Sequence, residues 1–330
     1  MVALLAVLLL APMVALSVSP WHANGSLWYL GMLPVIIGLF AGARVGFAAA
    51  LVTPALIGIS LLLHDMPVVG ALYMAAVAVA AGLAAVRGWH LMLSFAGPLA
   101  AFALIGDLDV RLATGTVAAD SSLTSGFVTV GVVLAGGLWT ASLGQFVVRA
   151  FPVKPPKTVP RHTAGYYAAA LGLLVGFATY VAMSSLDADS WWMILTFFVV
   201  VQPYYVDSAG RIAARVAGPL AGALVAVLIV AVLQDMPAVI TALAIVLTVA
   251  AAWANMRLPY WAFVAFLTPA VVLQTAGGSG AIVDSIVERA LYTIVGAAVA
   301  AVVLTAGHVL VTGRRHRGRS RTDSAEDTDA

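Results

Sequence analysis

The chain contains no cysteine, only two lysines, and few charges of either sign: 9% of its 330 residues are Asp, Glu, Lys or Arg. Without cysteine there is no disulfide framework and no thiolate metal site. Lys154 and Lys157 follow no G-x-x-x-x-G run, so the phosphate loop of nucleotide-driven machines is absent. The histidines His22, His64, His90, His162, His308 and His316 are scattered, with no pair at metal-ligand spacing. No cofactor or metal is expected. Acid, base and metal clusters are missing, which disfavours an enzyme, although a triad assembled only in space stays open. With 63% hydrophobic residues, a water-soluble fold could not hide the apolar surface.

The apolar residues fall into twelve stretches, near 2–19, 27–42, 45–63, 67–86, 88–106, 125–148, 164–184, 190–206, 212–233, 237–255, 258–275 and 285–311. A bilayer's ~30 Å hydrocarbon core takes about 20 helical residues, so the pattern predicts an all-α polytopic membrane protein with the lipid bilayer as its main partner. Arg44, Arg87, the group Arg149, Lys154, Lys157 and Arg161, then Arg211 with Arg215, and Arg257 follow even-numbered stretches. The positive-inside rule therefore predicts both termini in the cytoplasm and a multi-pass protein of the inner or plasma membrane. Basic residues serve topology here and give no sign of nucleic-acid binding. The first stretch lacks the basic start and small-residue cleavage site of a signal peptide, so it is expected to be retained as a helix.

An internal repeat organises the stretches. Asp65-Met66-Pro67 recurs as Asp235-Met236-Pro237, and Arg44, Arg87, Trp89, Phe95 and Pro98 recur as Arg215, Arg257, Tyr260, Phe266 and Pro269, all at a shift of about 170 residues. The expected layout is two parallel six-helix repeats, 1–149 and 164–312, related by a pseudo-two-fold axis along the membrane normal. Between them, 150–163 carries Pro152, Pro155, Pro156 and Pro160 and reads as a stiff, extended cytoplasmic strap. The tail 313–330, five arginines and then acidic residues, reads as a disordered topology anchor with an affinity for anionic head groups.

Glycines at four-residue spacing (Gly38, Gly42 and Gly46; Gly172 and Gly176; Gly218 and Gly222) predict close helix packing inside the bundle. A homo-oligomer interface is their second use. Pro54, Pro98, Pro219 and Pro269 lie within stretches and favour kinks.

The run Trp191-Trp192-Met193-Ile194-Leu195-Thr196, Gln202-Pro203, Arg211, Arg215, Gly218 and Gly222 resembles the signature of the fusaric acid resistance, or aromatic acid exporter, superfamily (FUSC-like). The similarity continues through Tyr260, Leu267-Thr268-Pro269, Arg289, Thr293 and Gly296, covering residues 190–305. Pro219 stands where the family carries threonine, and the strap takes the place of the large cytoplasmic domain of many members. The resemblance implies an exporter of small, often aromatic, carboxylic acids, with a small organic anion as substrate. Arg215, Thr268, Arg289 and Thr293 are then candidates for the substrate path. Arg215 could instead snorkel to head groups, and Arg289 could pair with Glu288 or Asp284. Asp207 and Glu288, the acidic residues nearest membrane depth, are candidates for proton coupling. Two other classes remain: a major-facilitator-type carrier, which shares the span count and topology, and a non-transporting accessory protein of envelope assembly that needs no polar path.

Overall fold

The computed structural model describes residues 2–17, 19, 23–106, 122–150, 158–203, 209–233, 236–258, 260–275, 288, 291–303 and 305. Twelve α-helices occur among these residues, one within or across each apolar stretch. They are α1 (Val2–Ser17), α2 (Ala23–Phe40), α3 (Ala43–Leu63), α4 (Pro67–Ala84), α5 (His90–Ile105) and α6 (Ser122–Ala150). The second six are α7 (Arg161–Ser185), α8 (Trp191–Val200), α9 (Ala209–Leu233), α10 (Pro237–Arg257), α11 (Tyr260–Thr275) and α12 (Leu291–Val303). No strand occurs among the described residues. Four described segments, Ala43–Leu63, Pro67–Arg87, Ser125–Arg149 and Arg161–Ser185, are long and apolar enough to cross a membrane; the other apolar segments are shorter. Most of the predicted strap, the tail and the 107–121 loop lie outside the described residues.

Several helix boundaries have a chemical cause. Pro67 and Pro237 occupy the first turns of α4 and α10, where a missing N–H costs nothing. The two Met-Pro turns fold alike. Met66 sits at φ −120°, ψ 79° and Met236 at φ −124°, ψ 66°. Each donates its N–H to the leucine three residues back, Leu63 at 2.9 Å and Leu233 at 2.8 Å. The turn after α4 closes on Gly88 at φ 74°, with Gly88 N–H donating to Ala85 O and Trp89 N–H to Ala84 O. That paired capping is the Schellman pattern, in which a left-handed glycine satisfies the last carbonyls. Val159, at the end of the strap, donates its N–H to Ala85 O at 3.3 Å and ties the strap to the same turn.

Gly42 differs from the expectation. The helix breaks there, with α2 ending at Phe40 and α3 starting at Ala43, so Gly38, Gly42 and Gly46 do not share one helix face. Gly42 lies in the turn at φ 123°, a backbone state that essentially only glycine adopts, and a Cβ there would touch nothing. Gly38 and Gly46 pack across the turn: a Cβ on Gly38 would lie 3.1 Å from Val45 O, and one on Gly46 would lie 2.6 Å from Leu39.

The first-half core joins α2, α3 and α6, with α5 against α3 and α4. In the second half, α11 packs on both α9 and α10. The two halves meet along α4 and α7. Small residues line this seam: Gly82 touches Ala168, and a Cβ on Gly176 would come within 2.9 Å of the Ala75 side chain. Without a hydrophobic drive in lipid, such close packing is what holds helices together. A second link runs from α2 to α10, where the hydroxyls of Tyr29 and Thr248 lie 3.0 Å apart in a buried hydrogen bond. Four buried polar side chains inside the helices return to their own backbone. Ser94, Thr140, Thr196 and Thr248 each donate to the carbonyl four residues back, at 2.8–2.9 Å. That bond removes the penalty of an exposed hydroxyl proton in an apolar setting.

Candidate functional site

The helix α8 carries the Trp-Trp and Thr196 part of the sequence motif, and side chains fix both its ends. Ahead of it, Asp187 Oδ1 accepts from the N–H of Asp189 at 2.9 Å, and the Ser190 hydroxyl donates to Asp187 O at 2.7 Å. Asp187 Oδ2 also accepts from the Tyr292 hydroxyl at 2.8 Å, tying the start of α12 to the start of α8. At the other end, Val201 leaves the helix at φ −80°, ψ 112°, just ahead of Pro203, which disfavours helix at the residue before it. The Gln202 side-chain amide donates to Phe198 O at 3.2 Å, and the Tyr167 hydroxyl donates to Val201 O at 3.1 Å, so freed carbonyls are satisfied from within the bundle. Ten helical residues rise about 15 Å, half of a ~30 Å hydrocarbon core. The predicted stretch 190–206 is therefore a half-length helix that ends among buried residues, since Val200, Val201 and Gln202 are all buried.

Aromatic rings seat this half-helix against the first half. Trp191 stacks on Trp192 at 4.4 Å and on Phe102 of α5 at 4.6 Å. Phe95 of α5 meets Phe263 of α11 edge-to-face at 6.4 Å. Gly97 leaves room for the Phe198 ring, which a Cβ would approach to 2.6 Å. The second-half glycines do the same for neighbouring helices. A Cβ on Gly218 would lie 2.9 Å from Trp261 O, one on Gly222 would lie 2.7 Å from Thr268, and one on Gly296 would lie 3.0 Å from Thr196.

What these contacts leave open is a cavity of about 40 Å³ bounded by α5, α8, α11 and α12. Thr196, Thr268 and Thr293 contribute its polar surface; Phe95, Trp192 and Phe263 are its aromatic walls. It holds about two or three waters in this state and is smaller than the space a benzene ring takes. No charged side chain lines it among the described residues. An unpaired carboxylate brought into such a lining would face a desolvation penalty of several kcal/mol.

The structure thus brings Thr268 and Thr293 to one cavity at the junction of the two halves. Glu288, three residues ahead of α12, is exposed and is not among the residues that line it. Arg289 and Asp207 lie outside the described residues, and the Arg215 side chain is likewise undescribed within α9. Two residues escaped the sequence reading. Thr196 was visible only as part of a family motif, not as a polar group aimed between helices. Asp189 is 3% exposed, the buried carboxylate among the described residues; an outer-loop aspartate next to Asp187 gives no sequence cue that the two will be buried so differently. No group of three or more metal-ligating side chains occurs among the described residues.

No curated protein and no solved structure matches the chain. Residues 164–303 match a family model described as Fusaric acid resistance protein-like. That span runs from α7 to α12 and includes α8, Thr196, Thr268 and Thr293. The apolar helices and this match together support a membrane protein. Over residues 164–303, less than half of its length, the chain is similar to the fusaric acid resistance protein-like family.

Proposed function

We propose that the protein exports small organic acids, aromatic carboxylic acids among them, across the inner or plasma membrane without nucleotide hydrolysis. Twelve spans would form two parallel six-helix repeats with both termini in the cytoplasm, and the path would run between the halves. The cavity between α5 and the second-half helices is the observation that carries this reading. It lies where carriers built from repeats hold their substrates, beside a half-length helix. Arg215 and Arg289 would gather the anion at the inner and outer mouths, since guanidinium keeps its charge and grips carboxylates with a planar fork. Asp207 and Glu288 are the candidates for proton coupling.

The test is export by whole cells. Cells making the protein should accumulate less benzoic acid than cells without it, and Thr268→Trp, which fills the cavity, should abolish the difference at equal protein level. Equal accumulation with and without the protein, or full export by well-made Thr268→Trp, would overturn the reading. An accessory role in envelope assembly would gain support if the filled variant kept every cellular phenotype of the native chain.

A further inference from the structure

We propose that one end of the α4–α7 seam, which the proposed orientation turns to the cytoplasm, binds an acidic phospholipid. Arg87 and Arg161 hold its phosphate beside Trp89, and its acyl chains lie along the two helices. The site is separate from the cavity, and binding there needs no export. Three observations carry it. The first is how the cations are brought together. The helix α7 touches the turn Ala85–Arg87, and the N–H of Val159 donates to Ala85 O at 3.3 Å. Arg87 lies two residues past Ala85 and Arg161 two past Val159, so this bond sets both arginines at one end of the seam. Ala85, Val159 and Ala164 are buried in one cluster, which fixes that end before any ligand arrives. Arg87, Arg161 and His162 are all exposed there.

The second observation is what runs away from the cations. The helix α4 exposes Val69, Leu72 and Leu83 along a stripe that ends on Arg87. The helix α7 exposes Tyr166, Leu173, Phe177 and Tyr180 along a stripe that begins at His162. Helical spacing keeps each stripe on one face, so each seam helix offers acyl chains an apolar track with a cation at the same end. Tyr166 and Tyr180 stand about 21 Å apart along α7. Amphipathic rings gather at membrane interfaces, so Tyr166 sets Arg161, five residues earlier, at head-group depth. The third observation is charge. The sequence has no Asp or Glu between Asp65 and Asp107 or between Asp120 and Asp187, the segments that build this end. Two guanidinium groups held together at the edge of a low-dielectric slab repel each other, and a phosphate between them accepts from both. Trp89, 37% exposed ahead of α5, adds an amphipathic ring suited to the head-group layer. A choline head group brings its own cation and gains less. The carboxylates placed to compete are those of Asp207 and of the tail, Asp323, Glu326, Asp327 and Asp329.

The experiment is titration of the purified full chain in neutral detergent with dioctanoyl phosphatidylglycerol or dioctanoyl phosphatidylcholine. Native mass spectrometry and thermal unfolding read the result. Phosphatidylglycerol should bind and raise the unfolding temperature to a plateau; phosphatidylcholine should do neither at the same concentrations. Arg87→Gln and Arg161→Gln should each weaken binding about fivefold, and the pair about thirtyfold. If the double variant is poorly made, the two single variants decide. Arg149→Gln removes an exposed cation of α6 that stacks on Phe146 at 5.9 Å, outside the site, and should leave the affinity unchanged. Equal binding of both lipids, full affinity in the arginine variants, or an equal loss in Arg149→Gln overturns the site. So does glycerol 3-phosphate reproducing the plateau at the same concentrations, which marks a site for free phosphate. Affinity that emerges only when residues 313–330 are removed, or in Asp207→Asn, shows that those carboxylates hold the arginines and overturns it as well.

Discussion

At the scale of single residues, the cavity depends on side chains that are missing as much as on those present. Gly222 faces Thr268 and Pro269, where a Cβ would already lie 2.7 Å and 2.9 Å away. Gly222→Leu should therefore push α9 off α11, destabilising the protein by about 1–3 kcal/mol, seen as a lower unfolding temperature in detergent. An unchanged unfolding temperature would mean that these helices separate more freely than their contact implies. Gly42 fails differently on substitution. Gly42→Ala meets no neighbour, but at φ 123° it should cost about 1–3 kcal/mol through backbone strain alone. Gly131, which also meets no neighbour and lies within helical α6, should accept alanine without loss. The contrast between the two separates strain from crowding. Spacing in the sequence showed that glycines mattered, but a four-residue interval looks the same whether the helix continues or breaks, so the turn at Gly42 stayed hidden. Thr268 and Thr293 were legible through the family motif. The burial of Asp189 was not, because burial of a loop carboxylate is decided by the helices that close over it.

At the scale of elements, an apolar stretch located every described helix, and turn chemistry set where α4, α8 and α10 begin or end. In α8 the stretch outruns the helix. Apolar residues run on past Val200, so composition predicts a longer helix than the ten residues that form. The break is written in Gln202-Pro203, whose side-chain amide replaces the lost backbone donor on Phe198 O. Gln202→Leu should leave that carbonyl short of a partner and lower stability by about 1 kcal/mol; a gain in stability would show that the half-length helix is not held by this cap. At the other end, Asp187 accepts from both the Asp189 N–H and the Tyr292 hydroxyl. Asp187→Asn keeps one carbonyl acceptor and should lose one of these bonds, whereas Asp187→Ala loses both. Thermal unfolding should rank the native chain above Asn, and Asn above Ala.

At the scale of the whole molecule, the halves are joined by a close seam on one side and a cavity on the other. The α4–α7 seam is packed through glycine and alanine, while the α5–α11 side is closed by aromatic rings around open space. The Met66 and Met236 turns share one backbone geometry, and the proposed parallel repeat would account for it. The proposed orientation adds a test of its own: tags at residue 330 and within 153–160 should report cytoplasm, and tags within 112–122 the exterior. A cytoplasmic signal from 112–122 would break the twelve-span topology.

The central claim is that the cavity belongs to a water-accessible path between the halves, and the sequence itself supplies the means to test it. Since the chain has no cysteine, single cysteines can be placed without removing a background thiol. Water-soluble thiol reagents react with the thiolate, which forms only where water reaches the sulfur. Thr268→Cys and Thr293→Cys in native membranes should be labelled, and benzoate should slow the labelling. Leu224→Cys, at an exposed position of α9 that the proposed membrane arrangement turns to lipid, should stay unlabelled. Labelling of neither threonine position, with Leu224→Cys equally silent and all three proteins well made, would show a dry junction between the halves and contradict the transport account.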